Sequence, residues 1–270
     1  MSRMPKRTRR SGLTTWVSGA FFAVAIIATI VGYFVPGDGS STVAAAFAPP
    51  SPEHLLGSDG LGRDVLMRLL HGGAQLLAVA ALSTAVASFV GVVLGFAVSG
   101  GSKAAKVLSY ALDMLLVVPS MLVIMVLVFG LGSGIATMVA VTTAVSAPYI
   151  ARYTRSLVRP LAGAPYVSIA RLAGDPPLVV AAREILPNMV LPIATTVGLR
   201  FINAIYLVAS AAFLGFDPLG TGADWGTMIQ TGVSGIALNP WAALAPTIAI
   251  ASITISGNLL LDRLGDRSMA

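Results

Sequence analysis

Long apolar runs without charged residues are the feature that most limits how this chain can fold. Residues 13–35 contain no Asp, Glu, Lys or Arg, and later runs reach a similar length. An α-helix needs about 20 apolar residues to cross the hydrocarbon core of a bilayer. Only 10% of the 270 residues are charged, compared with about 25% in soluble domains. The sequence therefore predicts an all-α, polytopic membrane protein.

Six membrane spans are predicted from these runs. The spans are residues 13–35, 74–98, 107–131, 135–150, 189–213 and 241–261. The segments between them are a basic tail at 1–12, loops at 36–73, 152–188 and 214–240, and a tail at 262–270. A secretory signal peptide is the alternative for the first run, but its apolar region is normally about 7–15 residues long. We therefore expect an uncleaved first span.

The distribution of basic residues predicts the orientation. With the N-terminus inside, the inner segments hold fourteen of the seventeen Lys and Arg residues and the outer segments hold Arg63 and Arg68, while Arg200 lies within a span. Basic residues are concentrated in the cytoplasmic segments of membrane proteins. Both termini are therefore expected to be cytoplasmic, and the net charge of +6 requires no nucleic-acid partner.

The loop at 152–188 has the pattern of two short helices. Pro165 suits a first helical position, because its missing N–H would have no partner there, and Gly174 supplies a C-terminal stop. Asp175 is expected to cap the second helix and Pro187 to close the unit. One face of the first helix carries Tyr166, Ile169, Ala170 and Ala173. This apolar face is too short to form its own core, so we expect it to dock into a partner; the alternative is an ordinary connecting loop.

Two further patterns lie around the predicted second span. Residues 65–70 are interpreted as a short amphipathic helix on the outer membrane surface, with Arg63 and Arg68 directed toward water. Within the span, small side chains recur at every fourth position, at Ser83, Ala87, Gly91, Gly95 and Ser99. Small faces let helix backbones approach closely in lipid. We expect this face to pack against another span.

Asp113 and Arg200 are the ionisable residues predicted to lie within spans. Asp113 lies near the inner interface, which favours a structural cap or a tie between helices. Arg200 is expected roughly 18 Å deep from the helical rise per residue, where an unpaired cation is costly. Arg200 and Asn203 either line a translocation pathway, or Arg200 is tied to a carboxylate of a partner subunit.

Prolines in or near spans are either bend points or static kinks; they are Pro119, Pro148, Pro192 and Pro246.

Several kinds of active site are not expected. The chain has no cysteine, which excludes disulfides and thiolate sites. The glycines between 57 and 62 are not followed by Gly-Lys-Ser or Gly-Lys-Thr, so a P-loop is not predicted. His54 and His71 lack a ligand set at metal-binding spacing. We expect no catalytic residue, metal or cofactor in this chain.

Several stretches resemble the permease subunits of ABC importers. The EAA loop of those permeases is partly matched by Ser168-Ile169-Ala170, Gly174 and Ile185-Leu186-Pro187, with Ser168 in place of the glutamate. Residues 54–72, HLLGSDGLGRDVLMRLLHG, are similar to a signature before the second span of dipeptide and oligopeptide permeases. Further matches follow in the family's order at residues 113–119, 213–218, 224–228 and 239–242. The chain thus resembles the C-type subunit of a peptide-class importer.

The resemblance implies a type I importer permease fold and a set of site residues. Those assigned to ATPase coupling are Tyr166, Ser168, Ile169, Ala170, Arg171, Gly174, Asp175, Ile185, Leu186 and Pro187. Those assigned to structural motifs are Gly62, Arg63, Asp64, Asp113, Pro119, Trp225 and Gly226. Arg200 and Asn203 are pathway candidates from their position in a span and not from the resemblance.

The resemblance also implies partners in a bacterial inner membrane. They are a homologous second permease, two ATP-binding subunits or one fused ATPase, and an extracytoplasmic substrate-binding protein. ATP and Mg would belong to the ATPases, so this chain is not expected to be an enzyme. Di- or oligopeptides are the expected substrates, and nickel, glutathione and haem or its precursors are alternatives. An ion-coupled secondary transporter is the competing class, but it needs ionisable relays within its spans.

Overall fold

A computed structural model describes residues 12–36, 39–216 and 224–268, which form ten α-helices and no strand. The helices are α1 (Gly12–Tyr33), α2 (Val65–Ser99), α3 (Lys103–Leu115), α4 (Ser120–Leu131), α5 (Ile135–Ala162), α6 (Pro165–Leu172), α7 (Pro177–Val180), α8 (Leu186–Phe213), α9 (Trp225–Gly232) and α10 (Trp241–Ser268). A π-helical turn, Ala181–Ile185, joins α7 to α8, and a 3-10 turn, Val233–Gly235, follows α9.

Four helical segments of the described chain are long and apolar enough to cross a membrane. They are Val65–Ser99, Ile135–Ala162, Pro177–Phe213 and Trp241–Leu261, and the bent pair α3–α4 makes a fifth if it is counted as one span. The prediction of an all-α membrane protein is confirmed. The count of six spans stays a prediction; α1, with 22 residues, packs against α10 and α2.

α2 begins earlier than the predicted span at 74–98. Asp64 caps the helix, because its carboxylate accepts a hydrogen bond from the backbone N–H of Met67 at 3.0 Å. The helix then continues unbroken for 35 residues. The predicted surface helix at 65–70 is therefore wrong, since these residues are the first turns of α2. Arg68, predicted to face water, is 1% exposed, and its ion pair with Asp59 is what makes this burial possible.

The small face of α2 is confirmed as a helix-packing surface. Its buried members are Ser83, Ala87, Gly91 and Gly95. α5 runs parallel to α2 along this face: a Cβ on Gly91 would lie 2.6 Å from the Cβ of Ile150, and one on Gly95 would lie 2.9 Å from the carbonyl oxygen of Ala151. The two backbones are therefore too close for any side chain larger than that of glycine at these positions.

The predicted span at 107–131 is not one straight helix. α3 and α4 are inclined at 96° to each other across residues 116–119. Pro119 has no N–H to donate and disfavours helical backbone in the residue before it, so the first helix ends before Pro119 and a new one starts at Ser120. The other prolines singled out in the sequence lie inside continuous helices; they are Pro148, Pro192 and Pro246.

α5 extends well beyond the predicted span at 135–150. Its helix continues to Ala162, so the first part of the predicted loop at 152–188 is helical. The boundary was placed too early because arginines begin at 152, yet long cationic side chains can extend from a helix toward water without ending it. Arg152 and Arg159, for example, are exposed, whereas the half-buried Arg155 donates a hydrogen bond to the hydroxyl of Ser109 on α3.

Two polar segments, residues 39–64 and 224–240, fold together over the N-terminal end of α2; we call them the loop cap. Asn239 joins them, because its side-chain amide donates to the carbonyl oxygens of Leu56 and Ser58, both at 2.9 Å. Trp225 fixes the loop cap to the helices, since its Nε1–H donates to the carbonyl oxygen of Leu69 in α2 at 2.7 Å.

Asp59 is the ionic centre of the loop cap. Its carboxylate accepts hydrogen bonds from the backbone N–H groups of Leu61 at 2.8 Å and Arg63 at 2.9 Å, and pairs with the guanidinium groups of Arg63 and Arg68. Burial opposes ionisation of the Asp59 carboxyl group, but the two N–H donors and the two cations stabilise the carboxylate by more than burial destabilises it. The pKa of Asp59 therefore lies below its ordinary value.

Gly95→Ala is expected to destabilise the protein even though alanine is the better helix former. The new methyl group would meet Thr154 and the backbone of Ala151, and overpacking of this kind costs about 1–3 kcal/mol. The thermal unfolding midpoint of the purified protein in detergent should fall. Gly130→Ala is the matched control: Gly130 is also helical, but a Cβ there meets nothing within 4 Å. That variant should be unchanged or slightly more stable, and equal behaviour of the two would contradict the packing described here.

Asp59→Asn is expected to destabilise the loop cap, because it leaves Arg68 buried without its carboxylate. Removing one partner of a buried ion pair costs about 3–5 kcal/mol. Since the folded pKa of Asp59 is lowered, ionised Asp59 stabilises the fold above the unfolded pKa of about 4. As the pH falls from the unfolded pKa through the pKa of Asp59 in the folded protein, the carboxylate is protonated and this stabilisation is lost.

Thermal unfolding of the wild type measured from neutral pH down to pH 3 should show this loss. The Asp59→Asn variant should begin less stable and change less over the acidic range. Glu53→Gln removes an exposed carboxylate of the same segment and serves as the control. An unchanged midpoint at neutral pH in Asp59→Asn would show that Asp59 does not hold the loop cap.

Candidate functional site

A compact unit of two short helices projects from the bundle between α5 and α8; we call residues 164–185 the helical knob. α6 starts with Pro165 in its first turn, as predicted. It ends at Leu172, and Gly174 follows two residues later with a φ of +90°. The N–H of Gly174 donates to the carbonyl of Arg171 and that of Asp175 to the carbonyl of Ala170. This pair of bonds is a Schellman motif, which needs a residue with positive φ at the position of Gly174. The predicted stop is confirmed.

Two details of the predicted knob are wrong. Asp175 does not cap α7: Pro176 is the N-cap residue, and no side chain satisfies the first N–H groups of the helix. The N–H of Asp175 donates a hydrogen bond in the turn that ends α6. This bond fixes Asp175 one residue before the N-cap position of α7. Pro187 does not close the unit either. It lies in the first turn of α8, where a proline is tolerated, and the chain runs helically from Pro177 to Phe213.

The inner side of the knob has a small core of its own. Val167 of α6 is fully buried against Val158 of α5, Val180 of α7 and Met189 of α8, and Ile185 completes this cluster. Ala170, predicted to be part of the docking face, is half-buried and packs on the same cluster. The knob is therefore held rigidly by α5 and α8 and is not a loose connector.

The outer side of the knob exposes apolar side chains that this chain does not cover. Ile169 is 66% exposed, Leu172 88% and Leu178 84%. Tyr166 lies at the edge of this surface and is 39% exposed. Ser168 and Arg171 lie between these residues and are exposed. An apolar patch on a polar segment is typical of a protein–protein contact.

The remaining residues assigned to coupling lie at the junction with α8. Ile185 is buried in the knob's core, whereas Leu186 and Pro187 are exposed. The ten predicted coupling residues therefore divide into an exposed group and an inward-packed pair, Ala170 and Ile185.

A second candidate site is a cavity of about 380 Å³ in the helix bundle. It lies where α3 breaks into α4 and is closed by α5 and α8, and Arg200 and Asn203 both line it. Arg200 stacks on a ring of α5: its Cζ lies 4.4 Å from the centroid of Tyr149. The two pathway candidates are thus brought together with Tyr149 and the residues around Pro119.

Comparison with known proteins decides the family. Residues 53–269 match the family described as binding-protein-dependent transport system inner membrane components. The chain belongs to this family. It is therefore an ABC-importer permease, located as a multi-pass protein in the bacterial inner membrane.

The permease has several similar relatives. It is 30% identical over 264 residues to a putative peptide transport system permease protein of Brucella suis, covering 97% of this chain and 88% of the relative. It is 32% identical to a di/tripeptide transport system permease protein of Pseudomonas aeruginosa, covering 78% of this chain and 70% of the relative. It is also 32% identical to a glutathione transport system permease protein of Pectobacterium atrosepticum, covering 80% and 72%.

The motif residues of the permease mostly build the loop cap. Gly62 has a φ of +73°, where a side chain would meet the carbonyl oxygen of Ala44. Arg63 pairs with Asp59, and Asp64 both caps α2 and accepts a hydrogen bond at 2.7 Å from Nδ1 of His54. These contacts are structural.

Trp225 and Gly226 lie at the start of α9, on the same end of the permease. A Cβ on Gly226 would lie 2.6 Å from the Cβ of Ala212, so this glycine lets α9 approach α8. Asp113 lies away from the loop cap: its Oδ1 is 4.0 Å from Nη1 of Arg152, and both side chains are largely exposed. This geometry is the predicted tie between helices, in this case between α3 and α5.

Sequence reasoning missed several residues that the permease brings into these sites. Asp59 and Asn239 organise the loop cap, and Tyr149 and Ser146 line the Arg200 cavity. Asp59 lies four residues before Arg63, but Asp64 is nearer in sequence to both Arg63 and Arg68, so spacing alone does not single Asp59 out. The contacts of Tyr149 with Arg200 join positions 51 residues apart, and no local pattern indicates them.

Proposed function

We propose that this permease forms half of the translocation pathway of an ATP-driven importer and receives the motor's motion through the helical knob. The observation that supports this proposal is that the two sides of the knob differ. Its inner side is clamped between α5 and α8 by a buried apolar cluster, while Ile169, Leu172 and Leu178 are exposed on its outer side. A partner seated on the exposed side can therefore move α5 and α8 directly.

The proposed machine has the composition that the family description supports. It combines this chain with a homologous permease, with two ATP-binding subunits or a fused ATPase, and with an extracytoplasmic binding protein. ATP and Mg are bound by the ATPases, so this chain contributes no hydrolytic chemistry. Binding of a partner to the knob would bury its exposed leucines, which is the apolar burial that stabilises protein interfaces.

Peptides are the proposed substrates. Two of the relatives described above carry di/tripeptide or peptide transport in their names, and a third carries glutathione, itself a small peptide. Glutathione, nickel and haem or its precursors remain the alternatives within the same machinery. The cavity described above is lined by Arg200 and by no Asp or Glu of the described residues, which supports an organic anion better than a metal cation.

We further propose six spans with both termini in the cytoplasm. α1 would supply the sixth span, in addition to the four helices and the bent pair that are long and apolar enough to cross a membrane. The knob and the arginines at the end of α5 share one end of the bundle, and the loop cap lies at the other. By the positive-inside rule, this arrangement supports a cytoplasmic position of the knob.

The topology is tested by introducing single cysteines, because the chain has none of its own. Glu53→Cys in the loop cap should react with a membrane-impermeant thiol reagent added outside intact spheroplasts. Ala104→Cys at the start of α3 should react only after the membrane is permeabilised. Both positions are exposed, whereas Ser58 is fully buried and would be a poor probe. Reaction of position 104 from outside would reverse the proposed orientation.

Gly174→Val is expected to uncouple ATP hydrolysis from transport. A β-branched residue at a φ of +90° is strained, at a cost of about 1–3 kcal/mol, so α6 and α7 would change their relative direction. In reconstituted complex, substrate-stimulated ATP hydrolysis and uptake should both fall several-fold at a normal level of permease. Gly163→Val is the control, since Gly163 directly precedes the knob and has a negative φ of −93°.

Leu172→Ala separates docking from folding of the knob. Leu172 is 88% exposed in this chain, so its truncation should leave the thermal stability of the isolated permease unchanged. Recovery of the ATP-binding subunits with the tagged permease should nevertheless decrease. If both Gly174→Val and Leu172→Ala retained normal assembly, stimulation and uptake, the knob would not be the coupling element.

A further inference from the structure

Two residues that line the cavity between α4, α5 and α8 each have a buried polar atom without a hydrogen-bond partner among the described residues. These atoms are Nε of Arg200 and the hydroxyl oxygen of Ser146. Ser146 is 1% exposed. Buried polar groups in proteins are nearly always hydrogen-bonded. The two residues therefore place polar groups that lack a partner beside a cavity that a polar molecule can enter.

The charge of the cavity selects the kind of occupant. Arg200 remains protonated in any protein environment, and it lies near the middle of the 28-residue α8. No carboxylate of the described residues forms an ion pair with it. A cation at this depth must face protein or a water-filled path, and its strongest complement is a carboxylate, which a guanidinium can bind through two N–H groups.

Tyr149 holds the guanidinium in position for such a ligand. The Cζ of Arg200 lies 4.4 Å from the centroid of the Tyr149 ring, which is within the range of a cation–π interaction. Stacking on a ring uses the face of the guanidinium and leaves the N–H groups at its edges available. The side chains of Asn203 and Ser146 line the same cavity and can supply further donors.

We propose that this cavity is a carboxylate-binding station on the translocation path. Arg200 would bind the carboxylate, Ser146 and Asn203 would donate to its remaining lone pairs, and Tyr149 would be a positioning residue. The volume of about 380 Å³ is at the small end of ligand pockets. It fits the carboxyl end of a peptide and not a whole oligopeptide. This inference rests on the proposed function, because it places the site on the importer's pathway.

The test uses Asn203→Cys, which is then the sole thiol of this chain, in a complex whose partner subunits have been made cysteine-free. Two methanethiosulfonate reagents with the same reactive group are compared: the anionic sulfonatoethyl reagent and the cationic trimethylammonioethyl reagent. Their rate ratio at position 203 is divided by the ratio for a small thiol free in solution, which corrects for intrinsic reactivity. We expect the anionic reagent to be favoured, and Arg200→Gln to lower this preference about tenfold, equivalent to about 1.4 kcal/mol. Tyr149→Leu should give an intermediate value.

A second measurement leaves Arg200 in place, so it does not depend on the folding of that variant. Propionate and propionamide have nearly the same shape and differ in charge. Propionate at high concentration should slow the labelling of position 203, and propionamide should not. Equal effects of the two, or an unchanged rate ratio in Arg200→Gln, would overturn the proposal. Absence of labelling by both reagents would also overturn it and would favour a tie between Arg200 and a partner carboxylate.

The labelling experiment is independent of the coupling experiment. It is carried out without ATP and does not require the natural substrate, so a failure of the knob variants to uncouple transport would leave its result unaffected. Conversely, loss of charge selectivity at position 203 would remove the carboxylate station while leaving the proposed importer function intact.

Discussion

The close approach of α2 and α5 is the contact on which the rest of the bundle depends. In lipid there is little hydrophobic gain when two apolar helices associate, so association relies on close packing. Gly91 and Gly95 supply that packing by allowing the backbone of α5 to lie against α2. α2 also contacts α1 and α8. Both ends of the protein are therefore positioned by this pair of helices.

The two ends are built differently. At the loop cap, the buried charges of Arg68 and Asp59 compensate each other, and Asn239 and Trp225 fix the polar segments to the helices. At the other end, the knob keeps an apolar cluster inside and leaves apolar side chains outside. The first arrangement is complete within this chain, whereas the second leaves a surface for a partner.

α5 and α8 link the knob to the Arg200 cavity. Val158 and Met189 of these helices clamp the knob, and further along the same helices Tyr149 and Arg200 meet across the cavity. Under the proposed function, a displacement of the knob would change the relative position of α5 and α8. The Tyr149–Arg200 contact and the width of the cavity would change with it. This provides a physical route from the motor to the pathway without a separate signalling element.

The amino-acid sequence by itself determined the features that depend on local composition and spacing. Apolar runs require a membrane protein because a helix must satisfy its backbone in lipid. The glycine stop at 174 and the small face of α2 were also predictable, since each follows from one residue type at one spacing. Segment boundaries were predicted less well. α2 and α5 extend past their predicted limits because a charged residue can lie in a helix when its charge is paired or reaches water.

The tertiary structure alone decided which distant residues meet. The sequence predicts that Arg68 faces water, but the structure pairs it with the buried Asp59. The sequence predicts that Asp175 caps α7, but its N–H donates in the turn that ends α6. Arg200 was recognisable as a costly cation, but its stacking on Tyr149 and its shared cavity with Ser146 depend on how α5 packs against α8. Local patterns fix helices and turns through short-range sterics and hydrogen bonds, whereas contacts between helices depend on packing across the whole bundle.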